Sequence, residues 1–78
     1  MNLQKKIIAI IAEAINIKVN DIDEDTAIGD YPNWDSMGQL VIITSLEKEF
    51  GIKFDAEDIM ELEDVGDMIS MMEEYLNV

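Results

Sequence analysis

Apolar residues recur at three- and four-residue steps at both ends of this chain: Leu3, Ile7, Ile11, Ala14 and Ile15 near the start, and Val65, Met68, Ile69, Met72 and Leu76 near the finish. That spacing collects each set on one face of a helix. Leu40, Ile43, Leu46 and Phe50 repeat the pattern in the middle, with Val41 and Ile42 broadening the apolar surface. Strand-like alternation does not persist anywhere. The fold class expected is all-α: a small antiparallel bundle of three longer helices and one short helix, with a long loop between the first and second helices.

Local signals mark the boundaries. Asn2 is placed to cap a first helix that begins at Asn2 or Leu3 and reaches Asn16. The connection from Ile17 to Trp34 is rich in Asp, Asn and Gly and holds the only proline, Pro32. Connections this long are uncommon in compact domains and are usually functional. Ile17, Val19, Ile22 and Ile28 are expected to pin it to the core. Asp35 and Gly51 bracket a second helix over Ser36 to Phe50. Gly38 sits awkwardly inside that helix, where glycine costs roughly 1 kcal/mol relative to alanine. A short third helix is expected after Asp55, over Ala56 to Met60 or Glu61. Asp64 is the natural cap of the last.

Composition removes several function classes. The chain has 78 residues, which predicts one domain over 1–78, and 49% of them are hydrophobic, too many for a disordered acidic tail. Cysteine, histidine and arginine are absent. There is therefore no disulfide and no thiolate or imidazole metal site. The net charge of −13 disfavours nucleic acid, whose phosphates it would repel, and favours partners with basic surfaces. Lys5-Lys6, the apolar run to Ala12 and Ala12-Glu13-Ala14 loosely imitate a signal peptide, but the run is short and Glu13 interrupts it. No segment approaches a transmembrane length. A cytoplasmic location without membrane insertion is expected.

Ser36, in Trp34-Asp35-Ser36-Met37, opens an apolar helical segment. A serine nucleophile needs an adjacent base or a lowered pKa, and this chain lacks the usual partners. The residues point away from an enzyme and toward a hydroxyl offered to another protein's active site. The plainer alternative is a residue that helps cap a helix.

The wider pattern chooses between them. Asp35-Ser36-Met37 is followed by Leu40, Ile42, Ile43, Leu46, Glu47, Glu49 and Phe50, then Gly51-Ile52-Lys53-Phe54, with Gly29-Asp30 upstream. In these residues the chain resembles the acyl carrier protein family, whose Asp-Ser-Leu motif carries 4′-phosphopantetheine on the serine. The resemblance implies a carrier modified on Ser36 by a phosphopantetheinyl transferase. It implies that Asp35 contacts that transferase and that acyl-loading and acyl-transferring enzymes with basic docking surfaces are the other partners. Asp30, Met37, Leu40, Val41, Glu47, Glu57 and Asp58 are the expected partner contacts, the apolar ones beside the serine and the acidic ones for orientation. A monomer is expected.

The resemblance has gaps. Fatty-acid carriers commonly place acidic residues on the two turns after the serine, where this chain has Gly38, Gln39 and Val41, and Thr44 replaces a larger apolar residue. Asp-Ser-Met-Gly is similar to D-alanyl carrier proteins, so an aminoacyl cargo stands beside an acyl one. Ile43, Leu46, Phe50, Phe54, Ile59 and Leu62 would line an acyl groove between the second and third helices, or simply fill the core. Met60, Met68, Met71 and Met72 are expected chiefly as core residues that could adapt to a ligand.

Two further readings come from charge. Asp21-Ile22-Asp23-Glu24-Asp25 imitates the start of a calcium loop, but Thr26 takes the place of the turn glycine and Pro32 that of the bidentate glutamate, so no metal is expected. Glu57, Asp58, Glu61, Glu63 and Asp64 form an acidic cluster that is either a solvated face or a second docking surface. A small acidic helical adaptor without a prosthetic group is the remaining alternative function.

Overall fold

The structure, a computed structural model, describes residues 2–78. Helix α1 spans Leu3–Ile15, and the Asn2 side chain accepts hydrogen bonds from the amides of Gln4 and Lys5. Asn16 ends it in the left-handed conformation with φ 57°. Helix α2 spans Ser36–Phe50, capped by Asp35 through the Gly38 amide and closed by Gly51 at φ 65°. Helix α3 is the short Ala56–Met60, and α4 runs over Val65–Leu76 with Asp64 as its cap. Each long helix therefore begins where a short oxygen-bearing side chain satisfies amides that lack partners within the helix. The fold is all-helical, apart from one isolated bridge between Ala27 and Asp64.

Helix α1 packs mainly on α2 and less extensively on α4. Ile7, Ile11 and Ile15 meet Ile42 and Leu46 of α2 and Val65, Met68 and Met72 of α4 in one core. Burial of each such side chain contributes roughly 1.5–3 kcal/mol. No helix among the described residues is long and apolar enough to cross a membrane.

Three expectations about burial are corrected. Val19 and Ile28 do not anchor the first loop; they are 51% and 38% exposed. The loop is held instead by backbone hydrogen bonds to the junction of α3 and α4: Ile28 N donates to Glu63 O, Val65 N to Thr26 O, and Gly66 N to Glu24 O. Ile22, Thr26 and above all Trp34 supply its buried contacts. Second, Leu40 does not belong to the core stripe of α2, and Val41 does not widen it. Both project into solvent, because Gln39, Ile42, Ile43 and Leu46 occupy the face that the other elements cover. Third, Met60 is 83% exposed, since Ile59 is the apolar residue that the short α3 turns inward. Met68 and Met72 are buried and Met71 half-buried, as core residues should be.

Candidate functional site

Ser36 is the first residue of α2 and is exposed. The turn that presents it is tightly built. Asp35 is extended, at φ −108° and ψ −164°, and its Oδ1 accepts the Gly38 amide at 2.9 Å. The Trp34 backbone is bonded on both sides, accepting from Gly29 N at 2.8 Å and donating to Tyr31 O at 2.9 Å. Its indole is fully buried and donates through Nε1 to Gln39 Oε1 at 2.7 Å. Trp34 before the turn and Gly38 after it are thus fixed to the core, while Ser36 is exposed.

That position suits a phosphodiester. The free amides and dipole at a helix N-terminus favour negative charge. Asp35 opposes it with its own carboxylate, though that carboxylate already accepts a helix amide. No lysine or arginine lies in the first turn of α2, so the helix end itself is the source of positive potential beside Ser36.

Beside Ser36, Met37, Leu40 and Val41 are 70%, 55% and 47% exposed. With Thr44, Ser45 and Lys48 they line a shallow groove of about 390 Å³. A second depression, of about 450 Å³, continues past Val41, Ser45 and Lys48 to Ile10, Glu13 and Ala14 of α1. The outer face of α2 is consequently apolar next to the serine, and charge appears only farther along the helix.

The acidic candidates are more dispersed, and several are engaged within the molecule. Asp30 Oδ2 accepts from Ala27 N at 2.9 Å in the first loop. Glu47 Oε2 accepts from Phe54 N at 2.9 Å and so holds the segment leading into α3. Asp58 Oδ2 accepts from the Tyr75 hydroxyl at 2.6 Å, whereas Glu57 is exposed. Tyr75 also accepts from Asp55 N at 2.9 Å. The bond to Asp58 favours the neutral phenol and raises the Tyr75 pKa above its usual 10.0, with the Asp55 amide acting in the opposite direction. In the first loop, Asp23 Oδ1 accepts from the Asp25 amide and the Thr26 hydroxyl, which makes a local turn.

The six groove candidates lie together in the core. Ile43, Leu46, Phe54 and Leu62 are buried, and Phe50 and Ile59 pack against them. Sequence reasoning missed Gln39, which is buried beside these residues and bonded to Trp34 and to the Leu62 carbonyl. The signal was its spacing, three, four and seven residues before Ile42, Ile43 and Leu46, which a reading by apolar residues alone passes over.

The family model for a phosphopantetheine attachment site matches residues 5–72 of this chain. The chain belongs to the phosphopantetheine-attachment family of acyl carrier proteins. An acyl carrier protein of Thermotoga maritima is 30% identical over 71 residues, covering 91% of this chain and 88% of its own length. One of Chlamydia trachomatis serovar L2 is 29% identical over 77 residues, covering 99% of this chain and all of its own. The solution structure of a holo acyl carrier protein from Geobacter metallireducens superposes with a TM-score of 0.85 at 25% identity, over 99% of this chain and 88% of that one. The family's prosthetic group is covalent 4′-phosphopantetheine, and its members carry acyl groups rather than transform them.

Proposed function

We propose that Ser36 is the attachment point and that this acyl carrier presents its cargo from the head of α2. The observation that carries this reading is an exposed serine hydroxyl at the first position of a helix whose flanking residues, Trp34 and Gly38, are locked into the core. In the attachment step Ser36 Oγ forms a bond to phosphorus as the pyrophosphate of coenzyme A opens. The nucleotide half of coenzyme A leaves, and the hydroxyl proton passes to a base of the phosphopantetheinyl transferase. When bound, the arm supplies a terminal thiol that carries acyl groups as thioesters, the sulfur chemistry a cysteine-free chain lacks.

Asp35 orients the serine by capping the turn. Met37, Leu40 and Val41 form the apolar contact for the transferase and for the loading and transferring enzymes. Asp30, Glu47, Glu57 and Asp58 contribute a negative field that steers partners with basic surfaces and fades with salt. The same reading makes the protein a cytoplasmic monomer.

The test is an intact mass after incubation with coenzyme A, magnesium and a promiscuous phosphopantetheinyl transferase. The wild-type protein gains one phosphopantetheine and Ser36→Ala gains none. Ser36→Ala keeps its stability within about 0.5 kcal/mol, as an exposed side chain should. An unmodified wild-type protein would favour an adaptor without a prosthetic group.

A further inference from the structure

Gln39 stands one turn below Ser36 on α2, and Ile43 and Leu46 continue the same face into the core. An acyl chain folding back from the serine toward that core meets Gln39 first. The side chain is only 8% exposed and both ends of its amide are engaged. Oε1 accepts from the buried Trp34 indole at 2.7 Å, and Nε2 donates to the Leu62 carbonyl at 2.9 Å. The bridge therefore stitches α2 to the chain just beyond α3, across the seam that a cargo would have to part. Parting it leaves an amide and a carbonyl without partners in an apolar surrounding, which is costly.

The rest of the segment is tied down independently. Glu47 holds the Phe54 amide. The Tyr75 hydroxyl bonds both the Asp55 amide and the Asp58 carboxylate, and its ring meets Phe54 edge-on at 4.9 Å. The stretch from Phe54 to Leu62 is thus fastened by polar bonds before α3, within it and after it.

We infer that the Gln39 bridge closes the core to the cargo, so that this carrier serves short acyl or aminoacyl groups held outside the protein, with Gln39 as the positioning residue that sets this limit. The inference rests on the carrier reading. A chain of two or three carbons gains little from an apolar interior, whereas a medium-length chain would need to break the bridge to reach one.

The experiment loads the wild-type protein from acetyl- and octanoyl-coenzyme A with a promiscuous phosphopantetheinyl transferase and follows thioester cleavage by hydroxylamine. Failure to gain mass sinks the carrier reading and takes this inference with it. Given loading, the octanoyl thioester is expected to react within about twofold of the acetyl one after each rate is normalised to the matching acyl-pantetheine. The methyl signals of Ile43, Leu46, Ile59 and Leu62 are expected to be the same in both. Octanoyl protection of about tenfold or more, with those signals shifted, overturns the inference while leaving the carrier reading intact. Gln39→Leu, which offers an apolar entrance, is expected to slow octanoyl cleavage at least about fivefold while acetyl cleavage stays unchanged. A folded Gln39→Leu protein that treats both cargoes as the wild type does removes Gln39 from the role. Should that variant fail to fold, the wild-type comparison of the two cargoes still decides whether the core is closed.

Discussion

Gly38 lies directly beneath the backbone carbonyl of Asn33: a Cβ built on the glycine would land on that oxygen and come to 3.5 Å from Ile15 Cγ2. Asn33 in turn donates its side-chain amide to Ile15 O at 3.1 Å, which ties the end of α1 to the approach to Ser36. The glycine that looked misplaced in the first turn of α2 is the residue that lets the loop come this close.

Gly38→Ala sets two effects against each other. Alanine is worth roughly 1 kcal/mol to a helix over glycine, but overpacking against atoms that cannot retreat costs about 1–3 kcal/mol. The obstructing atom is backbone, held by Asn33 and the buried Trp34, so the clash wins. A net loss of up to about 2 kcal/mol in urea unfolding is expected. An unchanged or higher midpoint would show that the loop yields.

Trp34 is the only tryptophan and is fully buried. Its fluorescence is expected to be blue-shifted and resistant to acrylamide until the protein unfolds. Trp34→Ala should cost about 3–5 kcal/mol as a large cavity opens. Trp34→Phe loses the bond to Gln39 as well as volume, and about 1–3 kcal/mol of its cost comes from the unpaired buried amide oxygen. A Trp34→Phe protein as stable as the wild type would mean that Gln39 finds another donor.

The Tyr75–Asp58 bond gives a pH dependence with a definite sign. The Tyr75 pKa is raised in the folded protein, so its contribution to stability is complete below the unfolded value near 10 and is lost as pH rises through the higher folded value. The wild-type protein should lose stability above that range more steeply than Tyr75→Phe. Parallel stability curves for the two proteins across the alkaline range would remove the phenol from the account.

Charge makes a prediction about salt. Five lysines face eighteen carboxylates. The ion pair found, Lys6 with Glu49 at 3.4 Å, is partly exposed and contributes little. Self-repulsion therefore outweighs pairing, and raising sodium chloride from about 0.05 to 0.5 M shortens its range and should raise Tm. A Tm that falls with salt would mean that attractive pairs dominate.

Much of the fold was legible because its signals are local. Asn2, Asp35 and Asp64 cap helices with their own side chains, and Gly51 can take a positive φ, so four-residue stretches suffice to find these ends. The place of Ser36 at the head of α2 was legible for the same reason, whereas its reading as an attachment point came from the wider pattern through Phe54. The exposed Leu40 and Val41 were harder. An apolar residue on a helix reads as core until the partners that cover, or fail to cover, its face are known. The loop anchors were misread on the same ground, since Val19 is as hydrophobic as Ile22 and only the path of the backbone separates them.

The amino-acid sequence by itself determined the helical class, the helix ends and the serine at the head of α2, because periodicity and capping act over one or two turns. Tertiary structure decided which apolar residues face water, why residue 38 is a glycine, and that Gln39 bridges Trp34 to Leu62. Those outcomes depend on contacts between residues far apart in the chain, 23 positions for Gln39 and Leu62 and more for Glu24 and Gly66, which no local pattern encodes.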